Sequence, residues 1–352
     1  MNLKTIEYIW LDGTKPTGKI RSKTRILSLP DDFTINDFPL WNFDGSSTNQ
    51  AAGENSDCIL QPVNYVRDGI EDNGDYLVLC EVLNPDGTAH KSNTRAKLRE
   101  VLELGANKLD LWIGFEQEYT MFRRNIPLGW PEHGFPAKQG PYYCGVGSEQ
   151  IFGRELANQH RQACLRSGLM YYGMNAEVMP GQWEYQIGYR GVDNENASAL
   201  NVSDHLWLAR WIIHRLSENH NIHISHDNKP VKGDWNGAGL HTNFSTAQSR
   251  SYQYGQQAIN QYLDRLEKNH AKHIPYYGEK LEERLTGFHE TSAITHFSYG
   301  DANRGSSVRI PRHVAENGYG YLEDRRPGAN ADPYMVAALI LSSISNIDYH
   351  FS

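Results

Sequence analysis

The chain has 352 residues, of which 39% are hydrophobic and 11% aromatic, and its formal net charge is −8. At about 150 residues per domain this length predicts two domains, and the composition excludes an intrinsically disordered chain. The mild excess of acidic groups gives no reason to expect nucleic acid or a membrane surface as a partner.

The sequence predicts a cytoplasmic protein. It has no charged-then-apolar leader, and its most apolar segment, residues 335–347, is shorter than the ~20 residues of a membrane span. The cysteines show no metal-type spacing, so we expect reduced thiols at Cys58, Cys80, Cys144 and Cys164.

The first 90 residues predict short strands. Residues 5–10 have a strand pattern that ends at the hairpin signal Asp12-Gly13, and residues 18–27 are the candidate second strand of that hairpin. Residues 76–82 form a further strand pattern. A helix pattern then runs from residue 95 to about 104, after the capping residues Ser92-Asn93-Thr94. We therefore expect a β-rich domain over residues 1–90 and a mixed domain over residues 91–352.

In the larger part, strand patterns alternate with helix patterns. The strands are predicted over residues 110–121, 170–187, 240–244 and 307–310, and the helices over 153–166, 201–219, 256–270 and 333–347. Between them, residues 123–149 form a long loop rich in glycine, proline and aromatic residues. A loop of that length in a compact domain predicts a functional role.

Two glutamate pairs suggest a metal site. Glu116 and Glu118 are two positions apart, so on a strand they share a face, where two like charges repel unless a cation or proton neutralises them. For this pair alone, a solvated strand face is the alternative to a metal site. If Pro180-Gly181 forms a two-residue turn, Glu177 lies opposite Glu184 and the same repulsion arises. A Pro-Gly type II turn suits tight hairpins poorly, which leaves a longer loop open.

His241 and Glu323 are further candidate ligands, and a set dominated by carboxylates favours Mg²⁺ or Mn²⁺ over zinc. Arginines near the C-terminus suit an anionic substrate, although surface salt bridges would explain them as well: Arg284, Arg304, Arg309, Arg312, Arg325 and Arg326. Residues 13–20 nearly match a phosphate-binding P-loop, but Ile20 stands where Ser or Thr is required, so we reject that reading.

Taken in order, eight motifs resemble glutamine synthetases of the type II, eukaryotic-like class, over about residues 6–340. They are Trp41-Asn42-Phe43-Asp44-Gly45-Ser46-Ser47-Thr48, Glu116-Gln117-Glu118-Tyr119-Thr120, Gly140-Pro141-Tyr142-Tyr143-Cys144-Gly145-Val146-Gly147, Asn175-Ala176-Glu177-Val178-Met179-Pro180, Asn236-Gly237-Ala238-Gly239, His241-Thr242-Asn243-Phe244-Ser245, Leu285-Thr286-Gly287-Phe288-His289-Glu290 and Tyr321-Leu322-Glu323-Asp324-Arg325-Arg326-Pro327.

The resemblance implies an α+β fold with a β-grasp N-terminal domain and a catalytic domain built on a curved antiparallel sheet flanked by helices. It also implies two or three metal ions per site. The residues that match one ion's ligands are Glu118, Glu177 and Glu184, and those that match the ligands of the ion touching ATP are Glu116, His241 and Glu323.

The remaining site residues are carried over in the same way. Those that match the glutamate and phosphoryl contacts are Asn236, Gly237, Arg284, Arg304, Arg309 and Arg325. Those that match nucleotide contacts are Trp112, Ser245, Arg250 and Tyr321. Those that match the ammonium site are Asp44, Tyr143 and Glu290.

The implied reaction joins ammonia to glutamate through γ-glutamyl phosphate, with ATP as co-substrate. A polyamine ligase of the same fold and a non-catalytic structural relative are the alternatives. The resemblance further implies sites shared between subunits of a ring, with two five-membered rings stacked as a decamer. The short segment before the first strand, and Leu240 where cysteine is more usual, depart from the family pattern.

Overall fold

The computed structural model describes residues 3–71 and 73–351, which form two sheets and seven α-helices. The strands are β1 (Leu3–Leu11), β2 (Ile20–Ser28), β3 (Trp41–Asp44), β4 (Asp57–Arg67), β5 (Tyr76–Leu83), β6 (Trp112–Arg123), β7 (Ile126–Pro127), β8 (Tyr171–Ala176), β9 (Gln182–Gly188), β10 (His223–Ser225), β11 (Leu240–Ser245), β12 (Tyr299–Asp301), β13 (Val308–Ile310) and β14 (Leu322–Asp324). The helices are α1 (Thr94–Glu103), α2 (Arg154–Arg166), α3 (Ala199–Asn219), α4 (Gly255–Lys268), α5 (His270–His273), α6 (Arg312–Asn317) and α7 (Pro333–Ser345).

The small sheet has the strand order β2-β1-β5-β4-β3, in which β1 and β5 run parallel. The predicted hairpin of β1 and β2 is confirmed and pairs Leu3 with Ser28 through to Leu11 with Ile20. Because side chains alternate along β1, Tyr8 packs in the sheet's own core while Ile9 packs in the core of the larger part. The sheet is therefore covered on both faces.

The P-loop-like segment is part of this sheet's hairpin connection. Strand β2 starts at Ile20, the last residue of the segment, so a strand and not a helix continues the chain there. A phosphate-binding loop needs a helix N-terminus at that position, so the rejection of the motif is confirmed.

The large sheet has nine strands, with the main order β12-β13-β14-β11-β6-β9-β8. Strand β6 lies in its middle and also pairs with β7 and β10. All pairs are antiparallel, as expected, except the parallel pair β12 and β13. The central position of β6 puts its side chains next to those of β9 and β11.

The predicted strand over residues 170–187 is two strands, β8 and β9, and the tight two-residue hairpin is wrong. Asn175, not Glu177, lies opposite Glu184. Gly181 has a φ of +77°, and its carbonyl accepts a hydrogen bond from the amide of Met121 on β6. The turn is thus a five-residue loop that also contacts the neighbouring strand.

The predicted helices are confirmed within two residues at their ends. Asn93 caps α1 by accepting a hydrogen bond from the amide of Ala96 at 3.0 Å. Helix α7 is buried from Pro333 to Ile344, as its apolar sequence predicts. Within the described part of the chain, no helix has the length and apolarity that a membrane crossing needs. All four cysteines are unpaired.

Candidate active site

Three neighbouring strands bring one histidine and two glutamates together. On β6, Glu116 lies directly opposite His241 of β11, and β14 supplies Glu323 on the other side of β11. The Nδ1 atom of His241 is 3.6 Å from a carboxylate oxygen of Glu116 and 3.8 Å from one of Glu323. Glu116, His241 and Glu323 are the residues that the family resemblance implies as ligands of the metal ion that contacts ATP.

The other predicted ligands approach from β6, β9 and the β8–β9 loop. Glu118 lies directly opposite Glu184, and these two carboxylates and His241 each offer an atom within 4.8 Å of the others. Glu177 lines the same cavity but stands outside this compact group, where Asn175 donates a hydrogen bond to it at 2.8 Å. His241 is therefore common to both groups.

Burial dominates the electrostatics of these carboxylates. Burial raises the pKa of Glu118 although Arg284 and the amide of Gly239 counteract it, and burial together with the charge of Glu118 raises the pKa of Glu177. Burial and then the charge of Glu116 raise the pKa of Glu184. Burial also lowers the pKa of His241, so its imidazole is neutral and able to bind a metal.

The chemistry of this donor set fits a hard divalent cation. Its ligand atoms are carboxylate oxygens and one neutral imidazole nitrogen, and they already converge within 4.8 Å. The raised carboxylate pKa values are what crowded acidic groups show when no cation offsets their repulsion. Five of the six candidate ligands therefore lie in two overlapping groups, and Glu177 lines the same cavity outside them.

Arginines line the same cavity, whose volume is about 360 Å³, and contact two of the candidate ligands. The guanidinium groups of Arg309 and Arg325 donate to the two oxygens of Glu323 at 2.7 and 2.6 Å. Arg284 is 5% exposed, and its Nη2 lies 3.1 Å from Nε2 of His241. Four predicted arginines line the cavity: Arg284, Arg304, Arg309 and Arg325.

The Asn236-Gly237 turn and two of the three ammonium-site candidates reach the same cavity. Tyr143, Glu290, Asn236 and Gly237 all line it. Asp44 does not, because it lies at the end of β3 in the small sheet, where it is exposed and accepts hydrogen bonds from Ser46 and Ser47. This cavity thus contains all six predicted metal ligands, but it lacks Asp44 and two of the six candidate arginines, Arg312 and Arg326. Arg326 is buried and forms an ion pair with Asp324 at 2.7 Å instead.

A second cavity of about 370 Å³ adjoins the first, and Glu116 and Gln186 line both. The predicted nucleotide contacts Trp112, Ser245 and Tyr321 line this second cavity. Arg250 donates to the hydroxyl of Ser245 at 3.1 Å, and its guanidinium lies 3.9 Å from the centre of the Trp112 ring. Arg250 also forms an ion pair with Asp110 at 2.5 Å and lies outside the lining of the cleft. The aromatic rings of the cleft suit the base of a nucleotide.

Sequence reasoning assigned no role to several polar residues that the structure puts in these cavities. Asn243 donates to Glu116 at 2.7 Å, and Gln186 donates to Glu184. Each lies two positions after a predicted ligand on the same strand, so strand periodicity would have found both. No such signal marks His289, which lines the first cavity, or Gln139, which hydrogen-bonds to Asn236 from outside the cavity lining, because both lie in irregular segments.

Comparison with known proteins identifies two family regions. Residues 2–85 match the glutamine synthetase β-grasp domain, and residues 91–265 match the glutamine synthetase catalytic domain. Similar curated proteins are named glutamine synthetase. The one from Streptomyces viridochromogenes is 52% identical over 340 residues, covering 96% of this chain and 95% of the relative.

Similar proteins from an alga and a yeast are also named glutamine synthetase. The chloroplastic glutamine synthetase of Chlamydomonas reinhardtii is 51% identical, covering 96% of this chain and 90% of its own length. The glutamine synthetase of Saccharomyces cerevisiae is 47% identical, covering 96% of this chain and 88% of its own length. The chain belongs to the glutamine synthetase family, in its type II, eukaryotic-like class.

Proposed function

We propose that this protein joins ammonia to L-glutamate and converts ATP to ADP and phosphate, through γ-glutamyl phosphate. The observation that carries the proposal is one cavity lined by six glutamates, two histidines and four arginines, next to an aromatic cleft. A phosphoryl transfer to a carboxylate brings several negative charges together, and such a cavity supplies the positive groups that this requires.

Six residues would hold the metal ions in this proposal: Glu116, Glu118, Glu177, Glu184, His241 and Glu323. Divalent ions bound there would offset the negative charge on the phosphoryl group during its transfer. We propose Mg²⁺ or Mn²⁺, in two or three positions per site, because oxygen ligands dominate. Activity of metal-stripped protein titrated with each ion tests the choice of metal.

The first chemical step makes the glutamate side chain reactive. An oxygen of its γ-carboxylate attacks the γ-phosphorus of ATP, the bond to the leaving ADP oxygen breaks, and an acyl phosphate results. In our proposal Arg284, Arg304, Arg309 and Arg325 bind the carboxylate and the transferred phosphoryl group by charge-assisted hydrogen bonds. Asn236 and Gly237 hold the rest of the glutamate.

The second step needs ammonia, because ammonium has no free electron pair. Glu290 would accept the proton, Asp44 and Tyr143 would help bind the ammonium ion, and the nitrogen would then attack the γ-carbon as phosphate leaves. Glu290→Ala should therefore still form γ-glutamyl phosphate, which is detected as pyroglutamate, while its glutamine synthesis falls by roughly 10²–10⁴-fold. Equal loss of both products would contradict this role.

The exposed position of Asp44, outside the cavity of its own chain, supports a site completed by a neighbouring subunit. We propose that five subunits form a ring through head-to-tail contacts and that two such rings stack as a decamer. Each subunit would have two domains, residues 1–90 and residues 91–352. The test mixes dissociated Asp44→Ala and Glu290→Ala chains and reassembles them. Recovered activity supports shared sites, and mixed assemblies that stay inactive contradict them.

The deciding experiment measures ATP- and glutamate-dependent phosphate release with ammonia, methylamine or a polyamine as the nucleophile. We expect ammonia to be preferred, with glutamine as the product. Preference for a polyamine would identify a γ-glutamyl-amine ligase, and absence of all activity would favour a structural role. A cytoplasmic location is also part of the proposal, and cell fractionation tests it.

A further inference from the structure

The long loop that follows β7 is hydrogen-bonded to the Asn236 turn by the side chain of Gln139. Gln139 is half-buried, and its Oε1 accepts a hydrogen bond from the backbone amide of Asn236 at 2.7 Å. Its Nε2 donates to Oδ1 of the same asparagine, also at 2.7 Å. The rings of Trp130 and Trp235 pack 4.7 Å apart beside this pair. The loop is thus fixed to the turn by two short, reciprocal hydrogen bonds.

The same glutamine also contacts the segment that carries Glu290, residues 287–291, called here the Glu290 loop. Nε2 of Gln139 lies 3.4 Å from Nδ1 of His289. If Nδ1 accepts this contact, the ring proton is on Nε2, and Nε2 lies 3.4 Å from a carboxylate oxygen of Asp234. One histidine tautomer therefore satisfies both contacts.

The Glu290 loop needs such external contacts. His289 and Glu290 have φ values of +54° and +60°, a left-handed conformation that costs free energy for residues with a side chain. Two consecutive residues of this kind persist only where neighbours hold them. On the side of the Asn236 turn, the neighbours of His289 are Gln139 and Asp234.

We propose that Gln139 is a positioning residue that links the Asn236 turn to the Glu290 loop and keeps both in place over the acyl phosphate. This inference deepens the proposed function and rests on it. Gln139 acts through Asn236, which would hold the substrate glutamate, and through His289, which sets the position of the adjacent Glu290.

The link matters chemically because γ-glutamyl phosphate has two competing fates. Water can attack its γ-carbon and release phosphate, which regenerates glutamate. Alternatively, the α-amino nitrogen attacks the same carbon, phosphate leaves, and pyroglutamate forms after loss of one proton. A displaced Glu290 loop would admit water and deliver ammonia less effectively, so ATP would be consumed without glutamine.

The test compares Gln139→Ala with Gln150→Ala in the full-length assembled enzyme. Gln150 is a matched control because it lies in the same loop, is exposed, and its side chain makes no hydrogen bond to a residue within 3–71 or 73–351. For Gln139→Ala we expect the KM for glutamate to rise about tenfold, as the loss of two neutral hydrogen bonds suggests. We also expect less glutamine per phosphate released and more pyroglutamate.

Two further variants separate the contacts. Gln139→Glu keeps the volume and the acceptor for the Asn236 amide but loses the donor to both Asn236 Oδ1 and His289, so it should lower the yield of glutamine per phosphate. His289→Ala should lower that yield as well, while leaving the KM for glutamate within about twofold of wild type. These variants keep the test valid if Gln139→Ala folds poorly.

The outcomes distinguish this inference from the proposed function. If wild-type protein makes no glutamine from ATP, glutamate and ammonia, the proposed function is wrong. If the wild type is active and all Gln139 variants match Gln150→Ala in KM and in glutamine per phosphate, the positioning role is wrong. A raised KM together with a lowered yield of glutamine supports it.

Discussion

Two clusters of buried carboxylates lie in this molecule and differ in how their charge is balanced. The first, called here the boundary cluster, joins the small sheet to α1 and α3 and consists of Glu81, Arg95, Arg99 and Asp204. Arg95 donates to Glu81 at 2.9 Å and to Asp204 at 2.8 and 3.0 Å. Tyr334 adds a bond to Asp204 at 2.5 Å.

The second cluster, the site cluster, consists of Glu118, Glu177 and Glu184. Glu118 accepts a hydrogen bond from the amide of Gly239 at 2.6 Å, but no carboxylate of this cluster has a cation within 4.0 Å among the residues described. Burial raises the pKa of each. In the boundary cluster burial also acts to raise the pKa of Glu81, but hydrogen bonds from Arg99, Arg95 and Asn93 outweigh it and lower that pKa.

The difference shows how a structural and a functional use of buried charge can be distinguished. A carboxylate that serves the fold has its cation within the chain, and removal of that cation exposes a large desolvation cost. Carboxylates that repel each other without a cation of their own can bind an external one. Such unbalanced charge lowers the stability of the folded protein, and it is retained in a binding site because the function requires it.

The largest expected effect is the loss of activity when metal is removed. Chelation of divalent ions should reduce ATP-dependent phosphate release to background, and added Mg²⁺ or Mn²⁺ should restore it, because the site cluster depends on an external cation. Circular dichroism should show that the chelated protein stays folded, since the boundary cluster has its own cations. Full activity in metal-free buffer would mean that the site cluster does not need an external cation.

The next effect is on stability. Arg95→Met removes the ion-pair partner of the buried Asp204 and one of the two partners of Glu81, which keeps Arg99, so the free energy of unfolding should fall by about 3–5 kcal/mol. Urea denaturation at a fixed protein concentration measures it. Arg123→Met is the matched control, because Arg123 is exposed and should change stability by less than about 0.5 kcal/mol. Equal effects of the two variants would show that the boundary cluster is not stabilising.

A smaller effect is expected from pH, through Glu81. Its pKa is lower in the folded state than its ordinary value of 4.5, so its ionised form stabilises the fold above that value. The stabilisation is lost as pH falls below 4.5 through the folded-state pKa. Hydrogen bonds to a charged group contribute about 1.5–3 kcal/mol each, so Glu81→Gln should lower the free energy of unfolding at pH 7 by an amount in this range.

Unfolding of the wild type and of Glu81→Gln across pH measures this contribution. The two free energies of unfolding should converge as the pH falls below 4.5. Glu103→Gln is a control at an exposed position of α1, where the charge has little effect. A difference between the wild type and Glu81→Gln that stays constant with pH would mean that the charge of Glu81 does not stabilise the protein.

The sequence predicts the elements of both clusters well but not their partners. Glu116 and Glu118 share a strand face as period-two alternation requires, and α1 begins where its capping residues indicate. The pairing of Glu177 with Glu184 was wrong because tertiary contact of the 177–181 loop with β6, rather than the local Pro-Gly signal, decides the turn. Local patterns carry no information about such contacts.

Contacts between residues that are far apart in the sequence could not be predicted for the same reason. Arg95 and Asp204 are 109 positions apart, and Gln139 and Asn236 are 97 apart. Only the three-dimensional fold brings them together. The site residues were predicted because a family resemblance supplied them, whereas the residue types alone left salt bridges and metal binding as alternatives. Their roles stay a prediction until variants are measured.

The smallest expected effect, and the one that separates the clusters most directly, comes from Glu184→Gln. This change keeps the side-chain volume and removes one of two carboxylates that lie directly opposite each other on β6 and β9. Like charges in that position destabilise a sheet, so the metal-free variant should be as stable as wild type or up to about 1 kcal/mol more stable, while its activity falls. Urea denaturation in the presence of a chelator measures the free energy, and Glu81→Gln, which should lose stability and keep the site intact, is the control. A Glu184→Gln protein that is clearly less stable than wild type without metal would mean that the site cluster stabilises the fold in the way the boundary cluster does.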